Sequence, residues 1–399
     1  MKKPSTIIAA LFALLSLVFF AYCWRETRIA AGPAWIEPFV SPHRTAPLAI
    51  LSHHIDRTVL SAIQPRTAFG TARVSARSPN ILAYAHGTAV ADGRIFIGML
   101  GFGSNPFPTN EVVVFDAADI FRPILVGLPV AGDIGTMVYD PLNDKVYLDL
   151  SSNGSLDIYS LDPHTYAVST VISTSSVDAG RRPAIVTDGA YIYGITNTYP
   201  SSVFRVRISD GRLALNSVGH IPYGHSAAIG VYASSTELYF GGGTSNGFEK
   251  ADAITLAPIS SMKVEPCDIS NDMPFVKTAT SSGYVYIGCE SVPYGIRVKT
   301  GDMSFERFSL PGASLGLFVY GADLYNAAED GTIDVFPGQD LRDLRRYQLL
   351  DNAALLDIKN QTPELNEILY SPEADKLYFT AWWGVRGLYQ VATSTGGSG

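Results

Sequence analysis

The sequence predicts an all-β fold, a seven-bladed β-propeller, because one short strand-like motif recurs at nearly constant spacing. The motif Arg94-Ile-Phe-Ile-Gly98 has six relatives further along the chain, most of them built from β-branched, apolar and aromatic residues. The copies follow one another at intervals of about 47 residues, the length that one four-stranded blade requires. Seven copies therefore predict seven blades. The last residues of the copies are Gly98, Asp149, Gly194, Gly241, Gly288, Ala327 and Thr380.

The composition is that of a sheet-rich globular chain and argues against nucleic acid as a partner. Of the 399 residues, 47% are hydrophobic and 17% are charged, which suits one large buried core. The formal net charge is −8, whereas a protein that binds phosphate backbones presents a basic surface. We therefore expect no nucleic acid among the partners.

Residues 1–24 predict a single N-terminal transmembrane or signal helix. Lys2 and Lys3 precede an uncharged apolar run of about 19 residues, close to the length that spans a bilayer core. The basic end should stay in the cytoplasm, which puts the propeller in the periplasm or the extracellular space. We therefore expect a single-pass protein of the inner or plasma membrane. The alternative is cleavage near Ala30-Ala31, followed by secretion.

Residues 25–68 predict an extended stalk between this helix and the propeller. Five prolines interrupt any regular pattern in this stretch and favour an extended backbone. His53 and His54 are adjacent, but no carboxylate or cysteine accompanies them at metal-ligand spacing. We interpret the pair as solvated loop residues rather than as a metal site.

Residues 69–393 are the predicted propeller, in which each repeat supplies an innermost strand, a tight turn, the motif strand, a third strand and a weaker outer strand. In blades two and seven the first turn is nearly identical: Tyr139-Asp-Pro-Leu-Asn-Asp-Lys-Val-Tyr147 matches Tyr370-Ser-Pro-Glu-Ala-Asp-Lys-Leu-Tyr378. This match indicates internal duplication. The third strand of blade four is predicted at Ala253-Ile-Thr-Leu256.

Blade seven lacks an outer strand of its own, because the chain ends in a flexible tail at residues 394–399. An open ring would leave a sheet edge unpaired, and the only unassigned strand-like stretch lies at residues 69–76. We therefore expect the propeller to be closed by this N-terminal strand.

At the level of its repeats the chain resembles the YVTN-type seven-bladed propellers. The resemblance rests on His225-Ser-Ala-Ala-Ile-Gly-Val231 followed by Glu237-Leu-Tyr-Phe-Gly241, and on His86-Gly-Thr-Ala-Val90. The segment Val114-Phe-Asp-Ala-Ala-Asp119 is similar to the LVIVP repeats of extracellular surface proteins. Propellers of this kind include lactonases, lyases, redox-enzyme subunits and binding modules, so the resemblance implies the fold and leaves the function open.

The loops that lead into the innermost strands surround the mouth of the central channel, where propellers usually bind ligands. Five polar residues at these positions form the candidate catalytic set. In lactonase-like and lyase-like propellers such residues act from this funnel, which is what the resemblance implies. A divalent metal held in the channel is one alternative, and a ring of polar residues that bind only water and backbone is the other. The set is His86, Arg182, His225, Asp272 and Glu367.

Two cysteines, Cys267 and Cys289, lie in neighbouring parts of the repeat pattern. In an oxidising compartment they could form a disulfide, and otherwise they are two small buried residues that do not touch. No Cys-x-x-Cys-His haem motif and no nucleotide-binding loop occurs in the sequence, so we expect no cofactor.

Two functions remain open at this point. The first is a membrane-tethered extracytoplasmic propeller that acts as a binding or scaffolding module, with a protein or a small ligand at one face of the ring. The alternative is a lactonase- or lyase-like enzyme with its site in the central funnel.

Overall fold

A computed structural model provides the structure of the chain. It describes residues 63–79, 84–100, 111–130, 132–152, 154–178, 180, 183–196, 198, 201–218, 224–232, 235–242, 247–263, 276–281, 283–289, 293–312, 314–328, 331–350, 365–381 and 387–392. The predicted helix at 1–24, the stalk up to residue 62 and the tail at 394–399 lie outside these residues. Within the described part of the chain, no helix has the length and apolar character needed to cross a membrane.

The described chain is almost entirely β-strand, arranged as seven blades, of which the first six have four strands each. Blade 1 contains β2 (Tyr84–Ala91), β3 (Arg94–Leu100), β4 (Glu111–Asp116) and β5 (Ile124–Gly127). Blade 2 contains β6 (Asp133–Asp140), β7 (Lys145–Ser152), β8 (Ser155–Leu161) and β9 (Val168–Thr174). Blade 3 contains β10 (Ala184–Thr187), β11 (Tyr191–Ile195), β12 (Ser202–Arg207) and β13 (Arg212–Val218).

The remaining four blades follow the same order. Blade 4 contains β14 (Gly224–Tyr232), β15 (Ser235–Gly242), β16 (Gly247–Asp252) and β17 (Pro258–Lys263). Blade 5 contains β18 (Val276–Ser281), β19 (Tyr284–Cys289), β20 (Tyr294–Lys299) and β21 (Phe305–Ser309). Blade 6 contains β22 (Ser314–Tyr320), β23 (Asp323–Ala328), β24 (Thr332–Phe336), a short 3₁₀ helix (Pro337–Gln339) and β25 (Asp343–Leu350). Blade 7 contains β26 (Leu365–Ser371), β27 (Lys376–Ala381) and β28 (Leu388–Ala392).

The seven innermost strands form a closed ring. Each one contacts the innermost strand of the next blade, and β26 of blade 7 contacts β2 of blade 1. The prediction of an all-β, seven-bladed propeller is therefore confirmed. We call the end of the ring at which the innermost strands begin the upper face, and the end at which they finish the lower face.

The strand β1 (Arg66–Arg77) lies on the rim of the ring, between blades 6 and 7. It pairs antiparallel with β28, from Arg73 opposite Ala392 to Arg77 opposite Tyr389. It also pairs in parallel with β25 of blade 6, so that blades 6 and 7 join in one eight-stranded sheet. Just before β1, the backbone of Ile63 bridges to Phe308 in the outer strand of blade 5.

Neighbouring blades pack through apolar faces that are buried between them. Phe96 and Val114 of blade 1 share one cluster with Leu148 and Tyr159 of blade 2. At the junction of the last blade with the first, Tyr378 of blade 7 packs among the apolar residues of blade 1, and its hydroxyl donates to the carbonyl oxygen of Ala117. Burial of such large side chains stabilises the ring at every blade interface.

The third strand of blade 4 differs from the prediction. Residues 253–255 form a turn, and the third strand is β16, just before it. Ile254 in the turn is 68% exposed, and the turn is fixed by Asp252, whose side chain accepts hydrogen bonds from the backbone of Ile254 and Thr255. The prediction was wrong because the true strand carries Glu249 and Lys250, which do not resemble a buried strand.

Candidate functional site

Three of the five predicted site residues lie at β-bulges in innermost strands. Bulges fall at His86 in β2, at His225 in β14 and at Glu367 in β26. Only the backbone of these three residues is described. Arg182 and Asp272 lie outside the described residues, and so does Cys267 of the predicted cysteine pair. The convergence of the five side chains on the channel therefore stays a prediction.

The bulges recur at the same level of the ring, near the upper face. The innermost strands β6 and β22 carry one at the corresponding position. A bulge inserts an extra residue that redirects its side chain, and bulges are frequent beside functional sites. Two neighbouring bulges are in close contact, because a Cβ atom on Gly87 would lie 3.1 Å from the carbonyl oxygen of Gly135. The backbones of blades 1 and 2 are therefore closely packed at this level of the ring.

Asp149, the last residue of the second motif copy, is buried beneath the bulge of blade 2. Its Oδ1 atom accepts hydrogen bonds from the backbone nitrogen and the Oγ1 hydroxyl of Thr136, each at 2.6 Å. The same hydroxyl accepts a hydrogen bond of 2.9 Å from the backbone nitrogen of Ile185 in blade 3. A Cβ atom on Gly135 would collide with the carboxylate, so the site requires glycine there. Asp149 therefore contributes to the junction between blades 2 and 3.

Burial raises the pKa of Asp149 to about 7, against an ordinary value of 3.8. The hydrogen bonds from Thr136 favour the charged form and oppose this rise, but removal from water dominates. A carboxyl group that titrates near neutral pH is a common feature of functional sites, although structural networks produce it as well. The position of Asp149 between two blades favours the structural role.

The lower face carries a pocket of about 740 Å³ where the innermost strands of four blades end. Its walls come from blades 1, 2, 6 and 7, which are brought together only because the ring closes. We call it the lower-face pocket. The charged and aromatic residues that line it are Asp92, Tyr139, Asp144, His164, Phe318, Tyr320, Tyr370 and Glu373.

His164 joins the two carboxylates of the lower-face pocket that belong to blades 1 and 2. Its Nδ1 atom lies 3.1 Å from Oδ2 of Asp92, and its Nε2 atom lies 2.8 Å from Oδ2 of Asp144. The hydroxyl of Tyr139 donates to the other oxygen of Asp144 at 3.0 Å. The hydrogen bonds from His164 and Tyr139 lower the pKa of Asp144, which keeps this carboxylate charged near neutral pH.

Two tyrosines from blades 6 and 7 form the opposite wall. The ring centroids of Tyr320 and Tyr370 lie 3.8 Å apart, and the ring of Phe318 stacks at 6.3 Å from Tyr320. The hydroxyl of Tyr370 donates to Oδ1 of Asp375, and this hydrogen bond raises the pKa of the phenol. The tyrosine is therefore neutral at physiological pH.

The lower-face pocket was not predicted, although the sequence contained part of its signal. The duplicated turns of blades 2 and 7 each place a tyrosine five residues before an aspartate. In the structure both pairs, Tyr139 with Asp144 and Tyr370 with Asp375, make the same hydrogen bond. No sequence pattern points to His164. It lies in a turn of blade 2, and only the folded structure places it next to Asp92 of blade 1. Among the described residues, no group of three or more His, Cys, Asp or Glu side chains is arranged to hold a metal ion.

Comparisons with known proteins extend to the fold alone. No family model matches the chain, and no curated protein matches its sequence. The chain is similar in structure to a chain of the "Crystal Structure of Mitotic Checkpoint Complex", with a TM-score of 0.57 and 11% sequence identity, over 79% of this chain and 93% of that chain. The resemblance to YVTN-type and LVIVP repeats stays a prediction, whereas the seven-bladed β-propeller is established.

Proposed function

We propose that this chain is a binding or scaffolding module that holds a partner protein at the lower face of its propeller. The observation that carries the proposal is the lower-face pocket, a concavity of about 740 Å³ with aromatic and charged walls from four blades. Aromatic side chains and a few placed polar groups are typical of recognition sites. A propeller of similar fold occurs in a solved multiprotein complex, which also supports a role in protein binding.

In this proposal the apolar segment at residues 1–24 tethers the propeller to a membrane, with the ring on the extracytoplasmic side. The support is the uncharged run that follows Lys2 and Lys3. In this proposal the strand β1, which begins at the end of the predicted stalk, attaches the ring to the stalk. Its pairing with β28 and β25 supports the further proposal that it closes the ring.

Site-specific photo-crosslinking in the native host tests whether the lower-face pocket binds a protein. A benzophenone amino acid replaces Tyr320 in the pocket and, as a control, Ile254, which is exposed on a turn of blade 4. We expect a protein adduct from position 320 that is missing from position 254. The captured protein is then purified, and its affinity for the full chain should fall at least about tenfold with Tyr320→Ala. Identical adducts from both positions, or an affinity that Tyr320→Ala leaves unchanged, would contradict the proposal.

A further inference from the structure

We propose that the lower-face pocket receives the side chain of an arginine or lysine of the partner protein. This inference rests on the proposed function and names the chemistry of the group that the pocket recognises. It follows from the charges that line the pocket, from its aromatic wall, and from a contact that the chain already makes with one of its own arginines.

The charge of the lower-face pocket favours a cation. Three carboxylates line it, those of Asp92, Asp144 and Glu373, and none of the described lining residues is a lysine or arginine. Beside the pocket, the guanidinium of Arg94 pairs with Oδ2 of Asp92 at 3.1 Å. His164 contacts two of the carboxylates. Even if His164 is counted as a cation together with Arg94, three negative groups face two positive groups, so an excess of one negative charge remains. A positively charged side chain therefore complements the pocket, and a second carboxylate from a partner would be repelled.

Glu373 is the carboxylate best placed to meet such a ligand. The hydroxyl of Ser371 donates to its Oε2 atom at 3.1 Å, and among the described residues the carboxylate forms no salt bridge with Arg94 or His164. Its side chain leans over Gly93 of blade 1, where a Cβ atom would lie 3.6 Å from the Cβ of Glu373. Glu373 therefore stands on the boundary between blades 7 and 1.

The aromatic wall supplies the second contact that a cation requires. Tyr320 and Tyr370 lie against each other, and Tyr320 remains 36% exposed. The face of a tyrosine ring attracts a guanidinium or ammonium group through its quadrupole, more strongly where water is partly excluded. The tyrosines and Glu373 line the same pocket, and the proposal places one cationic group against an aromatic face and this carboxylate.

The chain makes this combination itself in blade 5. The guanidinium of Arg297 lies 4.8 Å from the centroid of the Tyr284 ring and pairs with Glu306. Beside the pocket, Arg94 also uses a tyrosine and a carboxylate, but through hydrogen bonds: its Nε donates to the hydroxyl of Tyr166 at 2.8 Å and its guanidinium donates to Oδ2 of Asp92 at 3.1 Å. The tyrosine-plus-carboxylate arrangement thus already holds arginine in this protein. The lower-face pocket offers the same elements to an arginine or lysine from outside.

Two matched peptides test the inference on the purified full chain. One is fluorescently labelled Gly-Ser-Arg-Ser-Gly, and the other replaces arginine by citrulline, which has nearly the same shape and no charge. Binding is followed by fluorescence anisotropy at low salt. We expect the arginine peptide to bind about tenfold more tightly, since a cation on an aromatic face next to a carboxylate contributes on that scale. A lysine peptide, compared with its acetyl-lysine form, should show the same preference.

Three variants test whether the preference for the arginine peptide over the citrulline peptide arises in the lower-face pocket. Glu373→Gln and Tyr320→Leu should each reduce it to about threefold or less, because each removes one of the two contacts. Glu306→Gln removes the same charge at the rim of blade 5 and should leave the preference unchanged. Equal binding of the arginine and citrulline peptides would overturn the inference, and so would a preference that survives both pocket variants. If Tyr320 still crosslinks a protein in that case, the proposed function stands and only the chemistry of the ligand is wrong.

Discussion

The carboxyl group of Asp149 is held away from water by Thr136 and by the backbone of blades 2 and 3. In six of the seven motif copies this last position carries glycine, alanine or threonine, and only blade 2 has an acid there. The repeat pattern shows that the residue differs from its equivalents, but it does not show that the side chain is buried. Burial depends on the bulge in β6 and on Gly135, and both are known only from the fold.

The raised pKa of Asp149 makes the stability of the protein depend on pH in a defined direction. Between pH 3.8 and about 7 the folded state keeps a proton that the unfolded state has released. The stability that this group contributes is therefore fully present below pH 3.8 and is lost as the pH rises to about 7. Between pH 5 and pH 8 we expect the wild type to lose roughly 2–3 kcal/mol more stability than Asp149→Asn, which cannot ionise.

Urea denaturation of both proteins at the two pH values measures this difference. Asp210→Asn, at an aspartate whose side chain is 47% exposed, is the control and should follow the wild type. An identical dependence on pH in the wild type and in Asp149→Asn would show that the carboxyl group is not buried as described.

At the scale of the elements, the third strand of blade 4 was predicted in the wrong place because the true strand, β16, contains a buried ion pair. In β16 the ammonium of Lys250 lies 2.8 Å from Oε1 of Glu237 in β15, and both side chains are buried. Lys250 also donates to the carbonyl oxygen of Thr300 in blade 5 at 3.0 Å, and Tyr239 donates to the same oxygen at 3.1 Å. A sequence pattern counts such charges as exposed, because it cannot reveal the partner that neutralises them. Strands with apolar alternation, such as β12, were predicted correctly for that reason.

Removing one member of this pair should destabilise the propeller strongly. Lys250→Met leaves the carboxylate of Glu237 buried without its partner, and we expect a loss of about 3–5 kcal/mol in the free energy of unfolding. The double variant Glu237→Gln/Lys250→Met, which has no buried charge at this position, should recover most of the loss.

The matched control is Lys299→Met. Its ammonium lies 3.9 Å from Asp302, and both side chains are more than half exposed. Such a pair contributes less than about 1 kcal/mol. Urea denaturation of the four proteins gives the comparison. Equal losses for Lys250→Met and Lys299→Met would contradict the buried ion pair.

Across the whole molecule, the number of blades could be predicted from the sequence because each blade repeats one local pattern. The lower-face pocket could not be predicted, because the turns that contribute to it are as far apart in the chain as those of Asp92 and Glu373. These turns meet only where blade 7 packs against blade 1, through contacts such as that of Tyr378 with Ala117. The function that we propose for the lower face therefore depends on the closure of the ring.

At the rim, the proposal that β1 closes the ring is tested most directly by a disulfide introduced between β1 and β28. Ala76 faces Gln390 in the register of the two strands, and Gln390 donates from Nε2 to the hydroxyl of Ser75 at 2.7 Å. In a chain whose three native cysteines are replaced by serine, we expect Ala76→Cys/Gln390→Cys to form an intramolecular disulfide under mild oxidation and to raise the melting temperature. The pair Ala76→Cys/Ala392→Cys, two residues out of register, should remain largely reduced. Free thiols in the first pair, or equal bridging in both, would contradict a ring closed by β1.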